Sequence, residues 1–214
     1  LYLAPETLGR AGIPFQVTDA LPLAAEPVVA AVDLVLDAVG TGFSRASLVE
    51  LLRSPHLRVE MVEVPSRKAV SLMNHLLSDA RYLGGGDHLD ALVRSSGDNE
   101  ALPALRAALS LAHELAVLLE AAPASHQVAR LIAFLDRHLA PLDQDDQFRA
   151  REQRARDLVM QILASLAHAC AAHHDPSWTI EDLAAAVRRA LGEETFAVQG
   201  VETGVHLLDD QAAR

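Results

Sequence analysis

The chain contains a single cysteine, Cys170, among its 214 residues, so no disulfide bond can form within it. A reducing compartment is therefore the expected environment. The sequence also lacks any apolar run of the roughly 18 residues that span a bilayer, and it lacks a charged segment followed by an apolar one, as in a secretion signal. We therefore expect a cytoplasmic protein with no membrane partner.

Basic residues are scarce. The chain has 18 Lys and Arg against 29 Asp and Glu, which gives a formal net charge of −11. A domain that grips nucleic acid over a broad face normally carries a basic excess. Any contact with DNA is therefore expected to involve only a few side chains.

Complete catalytic, cofactor and metal motifs are missing as well. A phosphate-binding P-loop needs a Lys directly after its glycines, but Lys68 is the only Lys and does not follow the glycines at 40–42 or 84–86. His168 and His173 are five residues apart, which puts them off the same face of a helix, whereas paired metal ligands need three or four. The carboxylates lie in predicted linkers and caps. We predict no catalytic, cofactor-binding or metal-binding residue in this chain.

Aromatic residues make up only 4% of the chain, whereas 50% of it is hydrophobic, mostly Ala and Leu. This composition predicts a mainly α fold, because Ala and Leu favour helices and aromatic or β-branched residues favour strands. Apolar periodicity predicts helices over residues 1–10, 26–39, 47–54, 66–83, 87–94, 101–122, 127–139, 147–173 and 179–191. Short strands are predicted near both termini, at 15–17, 195–198 and 204–208, and residues 56–65 are predicted to form a strand or a loop.

Some helix boundaries carry polar residues suited to capping. Either Ser44 or Ser47 is predicted to cap the third helix, and Ser47 with Glu50 fits a capping box. Ser125 is predicted to cap the helix over 127–139. The glycines at 84–86 are predicted to end the helix over 66–83.

A few side chains at helix ends are candidates for contact with nucleic acid, because cations and helix starts meet phosphates. The predicted contacts are Arg53, Ser54, Arg67, Lys68, Arg149, Arg151 and Arg154. Glu152 and Asp157 are interleaved with the basic start of the longest helix. An ordinary solvated helix face is therefore the alternative interpretation of that segment.

Two stretches of sequence together resemble one family. The first begins at Leu8 with Leu-Gly-Arg-Ala-Gly-Ile-Pro-Phe, continues through Leu21-Pro-Leu, and includes Phe43-Ser-Arg-Ala-Ser-Leu-Val-Glu-Leu-Leu-Arg-Ser-Pro. The second is the closing segment 204–214, which ends in Ala-Ala-Arg. In this order, with a helical block between them, they resemble the AddB/RexB-like helicase–nuclease subunits of helicase superfamily one. Those proteins also carry a PD-(D/E)XK nuclease domain.

The resemblance implies a domain organisation. Residues 1–20 and 195–214 would belong to a RecA-like α/β motor domain, and residues 21–194 would form its helical 2B-like insertion. The start at Leu1, without Met, is expected of a piece of a longer polypeptide.

The resemblance also implies a function. The parent protein would use ATP and Mg and act on DNA in double-strand-break repair and recombination. Its partners would be DNA, other domains of the same chain and a second helicase–nuclease subunit. The helicase arginines, Walker residues and nuclease motif of the family have no match here, so this chain would guide DNA and support partner domains without catalysis.

The alternative is a free-standing helical protein, such as a regulatory adaptor that binds a protein partner. The two hypotheses differ in where the terminal strands lie. An insertion requires residues 15–17 and 205–208 to lie side by side in one place, far from the bulk of the helices, whereas strands at opposite ends of the molecule would exclude it.

Overall fold

The computed structural model describes residues 7–8, 10–13, 15–17, 20–58, 65–142, 149–197 and 205–207. These residues form a mainly α-helical protein, as the composition predicts, with eight α-helices and six short strands. The helices are α1 (Pro27–Gly40), α2 (Arg45–Arg53), α3 (Arg67–Asp79), α4 (Gly86–Ser95), α5 (Leu102–Leu115), α6 (Ala124–His138), α7 (Arg149–His173) and α8 (Ile180–Gly192). The strands are β1 (Phe15–Val17), β2 (Ala20–Pro22), β3 (Ala122–Pro123), β4 (Ser177–Trp178), β5 (Thr195–Ala197) and β6 (Val205–Leu207).

Helix α1 is central because apolar residues cover most of its sides. Pro27 occupies its first position, where the fixed proline φ suits a helix start. Its buried side chains include Val32, Val35, Leu36 and Val39. The helix packs against α2, α7 and α8, so it connects an early helix of the chain with the last two helices.

Helices α2 and α3 pack against each other. Ser44 caps α2 by accepting a hydrogen bond from the Ser47 N–H at 3.3 Å. The alternative capping box of Ser47 with Glu50 is wrong, because Ser47 lies within the first turn. The Arg45 guanidinium, at the start of α2, donates to Asn74 Oδ1 in the middle of α3 at 3.1 Å.

Between these two helices, the structure describes only part of the predicted strand or loop over 56–65. Leu57 forms one isolated antiparallel bridge with Leu139. Residues 59–64 lie outside the described part of the chain.

The prediction that the glycines at 84–86 end a helix is wrong. Helix α3 ends earlier, at Asp79, and the Tyr82 N–H then closes it by donating to Leu77 O at 2.9 Å. Tyr82 is buried, and its hydroxyl donates to Phe43 O at 2.9 Å and Gly85 O at 3.2 Å. These bonds draw the glycines against the turn after α1, and Gly86 begins α4.

The single helix predicted over 101–122 is shorter than expected. Helix α5 ends at Leu115 and a 3-10 turn follows it. The buried Gln127 amide then donates to the backbone carbonyls of Leu118, Glu120 and Trp178. Carbonyls left open at the helix end are satisfied in this way, and Pro123 in β3 cannot continue a helix.

The predicted Ser125 cap is also wrong. Ser125 is the second residue of α6, and its N–H and Oγ donate to the Asp175 carboxylate at 2.8 Å and 2.7 Å. Asp175 follows α7, so an acceptor from a distant part of the chain satisfies the first turn of α6. This contact fixes the start of α6 beside the end of α7.

Helix α7 is the longest helix, as predicted, although residues 147 and 148 of the prediction lie outside the described residues. It buries Ala155, Val159 and Leu163, which are four residues apart and form one stripe packed along α6. Thr179 then begins α8 with a capping box completed by Asp182.

The strands near the two termini pair with each other. β1 pairs with β6 in parallel, with Phe15 opposite Val205, Gln16 opposite His206 and Val17 opposite Leu207. β2 pairs with β5 in antiparallel register. The predicted side-by-side placement of the terminal strands is therefore confirmed for residues 15–17 and 205–207; residue 208 lies outside the described part of the chain.

Candidate nucleic-acid interface

The predicted contact residues lie at the ends of three helices, α2, α3 and α7. Arg53 is the last residue of α2 and Arg67 is the first residue of α3, and these two helices pack against each other. Lys68 follows Arg67 directly. Two separate sequence segments are thus brought together by the helical pair.

The start of α7 lies beside the residues that follow α2. His56, two residues after Ser54, has its Nδ1 3.8 Å from the Glu152 carboxylate in the first turn of α7. The His56 carbonyl also accepts the Ala140 N–H at 2.9 Å. We call residues 53–58, 138–140 and 149–156, together with residues 67–68 at the start of α3, the junction.

Three of the predicted cations at the junction are exposed and unpaired. Arg53, Arg67 and Arg149 form no hydrogen bond or ion pair with other described residues. Arg67 and Arg149 are the first residues of α3 and α7, where the backbone N–H groups of a first helical turn have no partner within the helix. Such positions suit an anion.

Arg58 is a fourth cation of this kind, and the sequence prediction missed it. Its backbone is held by His138, whose main-chain carbonyl accepts the Arg58 N–H and whose ring contacts Arg58 O at 3.0 Å. Its side chain is exposed and has no partner among the described residues. Nothing in the local sequence distinguishes it from a loop arginine, because its position depends on the end of α6.

The remaining predicted contacts are already engaged. Ser54 Oγ accepts the His56 N–H at 3.3 Å, and the Lys68 ammonium lies 2.7 Å from the exposed Glu100 carboxylate. The Arg154 Nε donates to Ala150 O at 3.1 Å within its own helix. These side chains are less available to an external phosphate than the four unpaired arginines.

Arg151 is engaged most strongly. Its Nε lies 3.1 Å and 3.2 Å from the two oxygens of Glu26, and its Nη2 donates to the same carboxylate. Glu26 is only 3% exposed. Charge-assisted, two-pronged bonds of this kind are among the stronger side-chain interactions.

The acids at the junction are largely neutralised by the paired cations. Glu26 is paired with Arg151 and Glu152 with Arg156, whose Nη2 is 2.7 Å away. Glu114, which reaches the junction through His138, is paired with both Arg137 and that histidine. The unpaired arginines therefore leave a local positive charge. In sequence, this region is bordered by the acids Glu50, Glu60, Glu63, Asp143, Asp145 and Asp146, which limits the positive surface to a few side chains.

The end of α7 shows a different arrangement. Hydrogen bonds from the Ser125 hydroxyl and amide lower the pKa of Asp175, and burial followed by the Asp175 charge raises the pKa of Cys170. Within the described ranges, no three His, Cys, Asp or Glu side chains lie close enough to hold a metal ion. Asp175 has a structural role here, since it fixes the start of α6.

In the part of the chain that the structure describes, no helix combines the length and apolar character needed to cross a membrane.

No known protein family matches this chain, and comparison with curated proteins gives no significant match.

Proposed function

We propose that this chain is the helical, non-catalytic domain of an ATP-dependent DNA helicase–nuclease subunit. In this proposal it belongs to a cytoplasmic enzyme of double-strand-break repair and recombination, guides DNA and supports partner domains. Binding of ATP and Mg, and pairing with a second subunit, are assigned to the rest of the parent protein. The observation that carries the proposal is the parallel pairing of β1, which precedes the helical body in the chain, with β6, which follows it.

Two parallel strands need a crossover connection, and residues 18–204 supply it here. Parallel strands occur almost only in larger sheets whose faces are covered by helices. A pair of three-residue strands is too small to be stable alone. The pair therefore supports membership of a larger α/β sheet, and a RecA-like motor domain is the sheet we propose.

The antiparallel pair β2 and β5 supports the same proposal. In sequence, β2 lies between β1 and the helical body, and β5 lies between the helical body and β6. An inserted domain needs such a two-stranded connection, through which the chain leaves the parent sheet and returns to it. A free-standing adaptor has no such requirement.

The proposed contact with DNA is made by Arg53, Arg58, Arg67 and Arg149 at the junction. Guanidinium contacts to phosphates position a protein on DNA without reading the bases. This agrees with the acidic net charge, because four local contacts do not need a broad basic face.

The test is duplex binding by the chain itself, followed through the anisotropy of a short fluorescein-labelled DNA between about 50 and 200 mM salt. In the variant R67A/R149A, each substitution is at the first position of a helix, where a cation opposes the helix dipole, so the fold is not weakened. We expect the slope of log K against log[salt] to become shallower by about 2, at about 0.9 per lost phosphate contact.

The matched control is R94A/R188A, which removes two positive charges from exposed ion pairs away from the junction. We expect it to bind DNA like the unmodified chain. An equal loss in both variants, or an unchanged slope in R67A/R149A, would remove the junction from the proposal. No measurable duplex binding by the unmodified chain would favour the adaptor hypothesis, and ATPase or nuclease activity would contradict a non-catalytic role.

A further inference from the structure

Glu26 is a buried acid at the point where the strands connect to the helical body. It follows β2 and a short 3-10 turn, and it is the N-cap residue of α1. It is 3% exposed, so its carboxylate is almost completely removed from water. A buried charge needs a partner, because desolvation without one is strongly unfavourable.

Its partner comes from the distant helix α7. The Arg151 guanidinium binds the Glu26 carboxylate through Nε and Nη2, while 28% of the Arg151 side chain stays exposed. The start of α7 is thereby tied to the start of α1. No other ion pair among the described residues links the strand connection to the long helix.

We call residues 20–26 and 193–197 the neck. Its other ties to the body are apolar or made by the backbone. Leu23 is fully buried, and its N–H donates to Glu194 O at 2.9 Å, which joins the two passes of the neck to each other. That bond lies within the neck, so it does not fix the neck relative to α7.

We infer that the Glu26–Arg151 pair is a latch that holds the neck in one orientation on the helical body. When the pair is broken, the neck opens locally while the helical core persists. The core persists because helices α3, α4 and α5 pack mainly against one another and against α2. Arg151 is thus a positioning residue and not the DNA ligand that the sequence suggests. This inference does not depend on DNA binding.

The experiment measures amide hydrogen exchange by mass spectrometry in the whole chain. In R151M, which leaves Glu26 buried without a partner, we expect exchange in the neck to quicken on the order of 100-fold, with peptides from α3, α4 and α5 unchanged. R151K keeps the positive charge but cannot form the two-pronged bond of a guanidinium, so its exchange rate in the neck should lie between those of R151M and the unmodified chain. R149A changes an exposed, unpaired arginine two residues away, and it should leave the neck as it is.

A second variant separates the latch from simple loss of stability. E26M/R151M replaces both charges with apolar side chains of similar length, and it should restore slow exchange in the neck, because no buried charge is left unpaired. Faster exchange throughout R151M, an unchanged neck in R151M, an effect of R149A equal to that of R151M, or failure of E26M/R151M to restore protection would each overturn the inference.

Discussion

Gly84 is placed where any side chain would collide with the backbone of another turn. Its φ is +151°, and a Cβ built on it would lie 2.7 Å from Gly42 O, the same oxygen that accepts the Gly85 N–H at 2.8 Å. Gly85 also has a positive φ, +92°, but open space around its Cβ position. Gly86 has neither constraint. Alanine substitutions at these three adjacent glycines can therefore be compared directly with one another.

The expected costs differ for physical reasons. G85A forces an L-residue into a conformation that costs roughly 1–3 kcal/mol. G84A adds to the same strain an overlap with a backbone atom, which costs roughly 1–3 kcal/mol more when the neighbours cannot move aside. G86A places Ala in the first turn of α4 without strain, so it should stabilise by about 0.5–1 kcal/mol.

The assay is urea unfolding followed by far-UV circular dichroism, with thermal midpoints as a second measurement. For a chain of this size, 1 kcal/mol shifts Tm by roughly 2–4 °C, so G84A should lower Tm by several degrees more than G85A, and G86A should raise it slightly. The order G84A, G85A, G86A from most to least destabilised is the critical result. If G84A proved neutral, or if G86A were as damaging as G84A, the close contact between the two turns would not exist.

Two further predictions concern stability. Burial raises the pKa of Tyr82 from 10.0 to about 12, so the unfolded chain loses this proton at lower pH than the folded one. The free energy of unfolding should therefore keep its full value below pH 10 and fall by roughly 2 kcal/mol between pH 10 and 12. In urea titrations of Y82F, this fall should disappear. Ser44→Ala and Thr179→Ala each remove a helix cap and should each lower the unfolding free energy by about 1 kcal/mol in urea titrations, whereas S165A on the exposed side of α7 should not lower it. Equal effects of S44A and S165A would show that Ser44 does not act as a cap.

Strong local patterns were predictable from the sequence. α1 and α7 follow from long apolar repeats, and the strands β1 and β6 follow from short alternating segments beside Pro and Gly. The neighbouring placement of β1 and β6 was predicted from the family resemblance, which implies an insertion between them. For the helices and for each strand by itself, the signal lies within one short window of sequence.

Features that depend on distant partners were not predictable. Ser125 looks like a helix cap, but Asp175 supplies the acceptor in its place from fifty residues away. The helix predicted over 101–122 looks continuous in sequence, but it ends at Leu115, and the Gln127 amide donates to the Glu120 carbonyl beyond that end. Both errors have one cause: a local propensity was overridden by a hydrogen bond from another part of the chain.

The same limit applies to the basic start of α7. Arg149, Arg151 and Arg154 are alike in sequence, but the structure gives them different surroundings: solvent, a buried carboxylate and a carbonyl of the same helix. An alanine variant of all three would combine loss of a phosphate contact with an unpaired, buried Glu26. Weakened DNA binding in that variant would therefore not identify the interface, since an opened neck could produce it. Of these three arginines, Arg149 is the exposed one, so R149A separates contact with DNA from the orientation of the neck.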